Sequence, residues 1–298
     1  GTRGSALART QTEYVRALLQ ARFPDLPLSV RIIRTSADRD TATSIRSGSA
    51  VGVFVKELEQ ALLRGEIDLA VHSMKDLPTR VEPGLCIAAI PEREDARDAL
   101  VCRDAGGLEL LPPGALVGTG SVRRQAQLLA LRADLAVADI RGNIDTRLNK
   151  LHAGDYAALV LACAGLNRLG YRDRISEALN CERMLPAPGQ GALAVQMRAD
   201  DPNRHAVAAA VHHLPTAIAV GAERSFLRRM GGGCNVPVAA YADIEENRIR
   251  ITGLAAAPDG SRVIRESVED FAQVADEAAA ALAGKILARG GSEILRAL

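Results

Sequence analysis

The hydrophobic positions of the first two thirds of the chain alternate between two periods. Short apolar runs predict buried strands, and segments whose apolar residues lie three or four apart predict helices between them. This rhythm is typical of mostly parallel α/β sheets with helices on both faces. The predicted strands cover residues 29–33, 67–72, 85–90, 116–118, 135–140, 157–162 and 192–197, and the predicted helices cover residues 54–64, 122–132 and 145–152.

The pattern changes near residue 217, where a predicted helix (217–230) leads into two strands (236–242 and 248–255) and an alanine-rich helix (271–288). This arrangement is typical of an α+β unit. A charged stretch over 91–98 has the composition of a hinge. Because 298 residues exceed what one hydrophobic core usually organises, we expect two or three domains.

Charge and composition narrow the class of function. Lys and Arg total 37 against 36 Asp and Glu, so no overall basic field attracts nucleic acid. Aromatic residues at 3% with no Trp leave little for base stacking, and no apolar run reaches the roughly 18 residues that cross a bilayer. All but four of the 37 cations are arginines. Coding bias explains such an excess by itself, whereas guanidinium groups at particular positions indicate a carboxylate or phosphate site.

The five cysteines form neither a C-x-x-C pair nor a disulfide-like framework, and the adjacent His212 and His213 lack metal-ligand spacing. We therefore expect reduced cysteines, no metal and, with no secretory signal in view, a cytoplasmic protein. Cys234 differs from the other cysteines because it follows three glycines between a predicted helix and a strand. A thiol on such an open loop is a candidate for reactivity, and an inert core cysteine is the alternative.

Candidate chemistry lies where the predicted strands end, because ligands of open α/β sheets bind beyond the carboxyl ends of the strands. The strand over 67–72 leads into Ser73-Met74-Lys75-Asp76, which places a cation beside a carboxylate. An incidental ion pair in a solvated loop is the alternative.

The segment after the strand over 116–118 is more specific. Ser121 suits an N-cap, and Arg123 and Arg124 occupy the first turn of the helix that follows. Cations are unfavourable at that end of the helix dipole unless an anion lies there. The pair therefore predicts a nearby anion, and a solvent-facing pair is the alternative.

The same arrangement recurs along the chain. Arg141 and Arg147 follow the strand over 135–140, Arg168 follows the strand over 157–162, and Arg3 lies in a similar loop before a helix that carries Gln11. Several arginines at one sheet edge predict a ligand with many carboxylates or phosphates. The chain contains no G-x-x-x-x-G-K-[ST] motif, so the site is not a P-loop.

These motifs together resemble the porphobilinogen deaminase (hydroxymethylbilane synthase) family, in the expected order and over essentially the whole chain. Each motif alone is weak, but their joint occurrence is very specific. They are Thr2-Arg3-Gly4-Ser5, His72-Ser73-Met74-Lys75-Asp76, Gly118-Thr119-Gly120-Ser121-Val122-Arg123-Arg124-Gln125, Arg141-Gly142-Asn143, Pro188-Gly189-Gln190-Gly191 and Gly232-Gly233-Cys234.

The resemblance implies an α/β fold in which two domains like those of type II periplasmic binding proteins flank a cleft, followed by a C-terminal α+β domain. The three domains would cover residues 1–91 with 192–212, residues 92–191, and residues 213–298. It implies a transferase of heme and tetrapyrrole biosynthesis that deaminates four porphobilinogens and joins them head to tail into hydroxymethylbilane. The product would grow on a dipyrromethane cofactor attached to Cys234 by a thioether. The expected partners are porphobilinogen and the growing polypyrrole, without nucleic acid or membrane, and the expected state is a monomer. A non-catalytic anion-binding protein with the same cleft is the alternative.

The resemblance also assigns roles to residues. Asp76 matches the family's catalytic aspartate. In that role, a carboxylate beside the pyrrole N–H groups would stabilise the cation that forms when ammonia leaves. Phe54 matches a residue of a lid over the cleft. The acetate and propionate of each pyrrole need guanidinium and other polar partners. The expected cofactor- and substrate-binding residues are Arg3, Ser5, Gln11, Ser73, Lys75, Thr119, Ser121, Arg123, Arg124, Arg141, Arg147, Arg168, Gln190 and Gly191.

Two positions depart from the family pattern. Gly120 stands where the family often has Ser, which removes one hydroxyl contact. The segment 50–53 is Ala-Val-Gly-Val where a Gly-Lys-Gly is often seen, which changes the expected lid.

Overall fold

The computed structural model describes residues 1–33, 55–104, 106–231 and 236–297. Its helices are α1 (Ala6–Arg22), α2 (Lys56–Leu63), α3 (Val122–Leu131), α4 (Ile144–His152), α5 (Cys163–Arg168), α6 (Arg204–Val211), α7 (Leu214–Arg229), α8 (Ala275–Ile286) and α9 (Ser292–Arg296). Its strands are β1 (Leu69–Ser73), β2 (Leu85–Ala89), β3 (Asp98–Cys102), β4 (Leu116–Gly118), β5 (Ala136–Ala138), β6 (Ala158–Ala162), β7 (Glu177–Leu179), β8 (Leu193–Arg198), β9 (Val238–Glu245), β10 (Arg248–Ala256) and β11 (Val263–Phe271).

The chain divides into two compact units. The first unit contains Gly1–Glu94 and Gly191–Ile218, and the second contains Asp95–Gln190 and Ala219–Leu298. One change of unit therefore falls at 94/95, inside the charged stretch predicted as a hinge. The division into three domains stays a prediction.

The first unit is built on a three-stranded sheet in the order β1-β8-β2. Both described pairs are antiparallel, so the prediction of mostly parallel strands is wrong here. The reason is that β8 returns from far along the chain and inserts between β1 and β2. The predicted strand over 29–33 is extended chain with one bridge, between Ile32 and Thr2. Helices α1 and α6 cover one face around Val71 and Val195, and α2 covers the other face around Ala70.

The second unit contains a five-stranded sheet in the order β5-β4-β6-β3-β7. Strands β4, β5 and β6 are parallel, whereas β3 is antiparallel to both β6 and β7. Alternate residues of β3 face opposite sides, because side chains alternate along a strand. Leu100 packs with Leu128 of α3 on one face, and Val101 packs with Leu151 of α4 on the other. The α/β class and the helices on both faces are confirmed for this sheet.

The C-terminal part of the second unit is an antiparallel sheet in the order β11-β10-β9 with α8 packed against it. This confirms the predicted α+β class. The predicted helix over 271–288 is wrong at its start, because β11 continues through Phe271 and α8 begins only at Ala275. Strand β11 had no counterpart in the sequence prediction. Its outward positions are charged, which hides an edge strand from a hydrophobicity pattern.

Candidate active site

The edge of the five-stranded sheet collects the predicted arginines of the second unit. Because β4, β5 and β6 are parallel, their carboxyl ends lie at the same edge. Arg123 and Arg124 follow β4, Arg141 follows β5, and Arg168 ends the helix that follows β6. The predicted placement of arginines at three successive strand ends is therefore present in the fold.

A polar turn leads from β4 into α3. The Ser121 amide N–H donates to Oγ1 of Thr119 over 3.3 Å, and Ser121 Oγ in turn accepts the Arg124 amide N–H over 3.4 Å. Ser121 is thus the N-cap of α3, as its sequence position suggested. In this turn, Thr119 and Ser121 position the first turn of the helix, where Arg123 and Arg124 lie.

Both of these arginines are buried against the carboxylate of Asp98. Arg123 Nη1 lies 2.7 Å from Asp98 Oδ2 and Arg124 Nη2 lies 2.7 Å from Oδ1, with side-chain exposures of 5%, 8% and 0% for Arg123, Arg124 and Asp98. Burial alone would raise the pKa of Asp98, but the two guanidinium groups outweigh it and hold that pKa well below its ordinary range. The alternative of a solvent-facing pair is therefore wrong. The anion predicted from the position of the two arginines in the first helical turn is the carboxylate of Asp98.

Gln190 belongs to the same buried network. Its amide Nε2 donates to Asp98 Oδ1 over 2.9 Å and to the Ala96 carbonyl over 2.8 Å, and its Oε1 accepts from Arg124 Nη2 over 3.4 Å. The loop before it is held by Glu223, whose Oε2 accepts the Gly189 amide N–H over 2.7 Å. Gly191 follows with φ of +87°, a conformation that favours glycine. The contacts shown here place Gln190 in the support of Arg124.

Asp98 was missed by sequence reasoning because its strand was missed. Strand β3 is antiparallel to β6, and its first residue, Asp98, pairs with Ala162, the last residue of β6. The start of an antiparallel strand thus reaches the edge where the parallel strands end. The apolar run over 99–102 directly after Asp98 was the signal that could have revealed this strand.

The positive charge at this edge extends beyond the buried network. Arg147 Nε donates to the Gly142 carbonyl over 2.8 Å, and Arg141 Nε donates to Asp139 Oδ2 over 2.7 Å. Burial, together with the charges of Arg124 and Arg141, lowers the pKa of Arg147, while Asp139 acts in the opposite direction. Three guanidinium groups therefore lie within electrostatic range of one another. Clustered guanidinium groups attract anions.

The first unit brings together a second group of predicted residues. Ser5 Oγ caps α1 by accepting the Ala8 amide N–H over 3.3 Å. The Gln11 amide donates to Ser73 Oγ over 3.0 Å, which links α1 to the end of β1. A single 3₁₀ turn, Met74–Asp76, follows β1 directly. Lys75 is half-buried there and Asp76 is exposed, so the Asp76 carboxylate is open to a ligand.

His72 lies beside this group at the end of β1 and is buried. Its pKa is lowered to about 4, mainly by burial and also by the charges of the Gly1 amino group and the Arg3 guanidinium, while a hydrogen bond with Gln196 acts in the opposite direction. His72 is therefore a neutral side chain at physiological pH. The effect of Arg3 on it also places Arg3 within electrostatic range of the strand end that carries Ser73.

Two predicted residues, Phe54 and Cys234, lie outside the described residues, as does the unusual segment 50–53. Within the described ranges, no group of three or more His, Cys, Asp and Glu side chains could hold a metal ion. No helix in these ranges is long and apolar enough to cross a membrane.

The fold and the arginine-lined strand ends define a class first: an α/β protein with a cluster of guanidinium groups at one edge of a sheet. The particular family follows from comparison with known proteins. The family model described as "Porphobilinogen deaminase, dipyromethane cofactor binding domain" matches residues 1–206, and that of "Porphobilinogen deaminase, C-terminal domain" matches residues 217–290. The chain belongs to the porphobilinogen deaminase family.

Curated relatives agree over nearly the full length. The porphobilinogen deaminase of Thermus thermophilus is 48% identical over 296 residues, covering 99% of this chain and 97% of the relative. That of Syntrophomonas wolfei is 44% identical over 295 residues, covering 99% and 96%. Among solved structures, a TRAP periplasmic solute-binding protein from Ralstonia eutropha is 11% identical, with a TM-score of 0.38. The match covers 67% of this chain and 70% of the chain of that protein.

Family membership confirms the enzymatic prediction. The protein is a transferase of porphyrin biosynthesis that joins porphobilinogen units into hydroxymethylbilane, and its cofactor is a dipyrromethane. Nothing in the fold or the comparisons favours the alternative of a non-catalytic anion-binding protein.

Proposed function

We propose that the arginine edge of the second unit holds the carboxylates of the dipyrromethane cofactor and of the growing polypyrrole. The observation that carries this proposal is that Arg124, Arg141 and Arg168 follow the carboxyl ends of three parallel strands at one edge of the sheet. Clustered guanidinium groups repel one another, and carboxylates that bind among them relieve that repulsion. Each pyrrole unit brings an acetate and a propionate, so the donor set suits the cofactor.

The arginines at this edge divide into two roles. Arg123 uses its Nη1 and Nη2 on Asp98 and also donates from Nη1 to the Leu185 carbonyl, so it anchors the helix. Arg141 is exposed and Arg147 is half-buried, so we assign the ligand carboxylates to them and to Arg168. Arg124 contributes its charge to the same group while Gln190 and Asp98 fix its position.

In the first unit, Asp76 is the acid–base and electrostatic group of the reaction. Its exposed carboxylate lies in the 3₁₀ turn directly after β1, next to Lys75. Ser73, the last residue of β1, accepts a hydrogen bond from the Gln11 amide. A carboxylate at the pyrrole N–H groups stabilises the cation left when ammonia departs and holds the proton that must move. Ser5 and Arg3 complete the polar surroundings.

The cofactor supplies the free pyrrole carbon at which each new unit is added. We assign its attachment to Cys234, whose thiol follows three glycines, and a lid position to Phe54. The four other cysteines lie in the described residues and form no disulfide bonds there, which supports a cytoplasmic enzyme. A monomer, and three domains with the third near residues 213–298, complete the proposal; the two family models meet between residues 206 and 217.

The proposal is tested by replacing Asp76 while leaving the cofactor in place. Asp76→Asn should lower the turnover of porphobilinogen by about 100-fold or more, because it removes the negative charge and the proton acceptor but preserves the shape. Intact mass should still exceed the sequence mass by one dipyrromethane. Steady-state kinetics and mass spectrometry on the same preparation measure both.

The matched control is Asp68→Asn, an exposed aspartate just before β1 that pairs with Arg198 at 3.3 Å. It should leave turnover within about twofold of the unsubstituted protein. Cys234→Ser should abolish the mass excess, whereas Cys181→Ser should keep it. Near-normal turnover of Asp76→Asn, or a mass excess that survives in Cys234→Ser, would contradict the corresponding assignment.

A further inference from the structure

A solvent-exposed acidic side chain lies among the arginines of the second unit, in addition to the buried Asp98. Asp139, directly after β5, places Oδ2 2.7 Å from Nε of Arg141. The side chains are 36% and 46% exposed, so the pair faces the solvent from which a ligand would arrive. The backbone carbonyl of Asp139 accepts a hydrogen bond from the Tyr156 hydroxyl over 3.0 Å, which fixes the position of the residue. Its charge also acts on Arg147.

A glycine makes room for this carboxylate. A Cβ added at Gly120 would lie 3.0 Å from Asp139 Oδ1 and 3.1 Å from the Ile140 carbonyl oxygen, tighter than ordinary contacts. Gly120 is not among the glycines with positive φ, so its backbone conformation suits any residue. The space for a side chain at this position is therefore limited by the Asp139 carboxylate together with the Ile140 carbonyl. Gly120 and Asp139 form a matched pair across the ends of β4 and β5.

We propose that Asp139 is a built-in counter-ion that competes with the carboxylates of the substrate for Arg141 and thereby weakens their binding. This inference rests on the proposed function, because it takes Arg141 as a ligand-binding group. A carboxylate that binds Arg141 displaces Asp139 from the guanidinium group. The competition keeps each contact weak enough to be exchanged as the product lengthens.

The size of the effect follows from the exposure of the pair. Ion pairs of this exposure change an equilibrium constant by about two- to fivefold. Because the pair faces solvent, salt should screen its effect strongly, with a Debye length of about 10 Å at 0.1 M and about 3 Å at 1 M. A purely structural role for Asp139 would instead weaken substrate binding when the residue is replaced.

The test compares Asp139→Asn with the unsubstituted holoenzyme in steady-state turnover of porphobilinogen. At low salt, Asp139→Asn should lower KM by about two- to fivefold without raising kcat, and the difference should shrink toward zero near 1 M salt. Asp134→Asn is the matched control, since Asp134 also pairs with an arginine two residues away, Arg132, at 2.7 Å in the same unit. It removes the same charge and should leave KM unchanged.

The steric half of the inference is tested by a double-mutant cycle. Gly120→Ser should change KM more when Asp139 is present than in the Asp139→Ser background, because the shorter side chain removes one of the two close contacts and only the Ile140 carbonyl remains. Strict additivity of the two substitutions would overturn the pairing. A KM that rises in Asp139→Asn, or one that matches Asp134→Asn, would overturn the competition.

Arg141→Gln separates this inference from the proposed function. If Arg141→Gln raises KM while Asp139→Asn behaves like its control, the inference fails and the arginine site stands. If Arg141→Gln leaves KM unchanged, the proposed site fails, and the inference fails with it.

Discussion

The carboxylate of Asp98 is the buried anion on which two guanidinium groups depend. A buried ion pair adds little stability over an apolar replacement, because the desolvation of the charges offsets their attraction. Its removal is different, since it would leave Arg123 and Arg124 buried with uncompensated charge. The network therefore acts as a positional constraint: it holds α3 against β3 and fixes where Arg124 stands.

Replacement of Asp98 should therefore be far more costly than replacement of an exposed partner. Asp98→Asn should lower the free energy of unfolding by about 3–5 kcal/mol, because both buried guanidinium groups lose their counter-ion. Asp95→Asn, which breaks an ion pair with Arg97 whose side chains are 23% and 45% exposed, should cost less than about 1 kcal/mol. Urea unfolding followed by circular dichroism compares the two. Equal losses would show that Asp98 is not the counter-ion of the network.

At the residue scale, the sequence predicted that an anion lies near Arg123 and Arg124 but did not identify Asp98 as that anion. The position of Arg123 and Arg124 in the first turn of a helix demanded an anion, and the N-cap role of Ser121 was correct. The anion was not found because Asp98 is about 25 residues away in the chain. Its proximity depends on strand pairing, which a local pattern does not contain.

At the scale of elements, the turn between β10 and β11 is seated on helix α3. A Cβ at Gly260 would lie 2.5 Å from the Ala130 backbone nitrogen and 2.8 Å from the Ala126 carbonyl oxygen. Ala126 also packs with Leu254 of β10 in one buried cluster. The C-terminal sheet thus lies directly against the backbone of the helix that carries Arg124. Only a residue without a side chain permits this approach.

Gly260→Ala should therefore be more destabilising than a glycine replacement with the same backbone demand. Gly260 has φ of +74° and Gly114 has φ of +77°, but an added Cβ at Gly114 meets nothing within 4 Å. Gly114→Ala should cost about 1 kcal/mol of unfolding free energy from φ alone. Gly260→Ala should cost about 1–3 kcal/mol more, because helix and turn must move apart. Thermal or urea unfolding measures the difference, and equal costs would refute the close contact.

Elements with strong periodicity were predictable, and elements defined by their partners were not. The helices α3 and α4 and the strands β4 and β6 fall within a few residues of their predicted positions. Strand β11 was missed because its outward positions are charged, and the direction of β8 was wrong. A parallel pair and an antiparallel pair have the same hydrophobic pattern, so direction follows only from where the chain returns.

At the scale of the whole molecule, each compact unit is assembled from two separate stretches of chain. Local sequence patterns do not specify such an assembly, although the charged stretch over 91–98 does mark one change of unit. Each unit also contains a buried side chain whose lowered pKa affects stability in acid, His72 in the first and Asp98 in the second. Acid should therefore destabilise the two units in different pH ranges.

Both groups make the folded protein less stable as the pH is lowered, but they do so over different pH ranges. The pKa of His72 is about 4 in the folded chain against 6.5 ordinarily, so the unfolded chain binds the extra proton between these values. Stability then falls as the pH is lowered from about 6.5 to about 4. Because the pKa of Asp98 is lowered, its ionised carboxylate stabilises the fold in full until the pH falls to the ordinary aspartate pKa of 3.8. Below that pH the stabilisation is progressively lost.

Unfolding free energy should accordingly fall by roughly 2–3 kcal/mol between pH 7 and pH 4 through His72 alone, because each pKa unit is worth about 1.4 kcal/mol. His72→Gln should flatten this slope whatever its effect on stability at pH 7, because the substituted side chain binds no proton. The matched substitution His152→Gln should keep the pH dependence of the unfolding free energy, because His152 is exposed in the folded chain. Urea unfolding at a series of pH values, followed by circular dichroism because the chain contains no Trp, provides the measurement. A slope that persists in His72→Gln would assign the acid sensitivity of this range to groups other than His72.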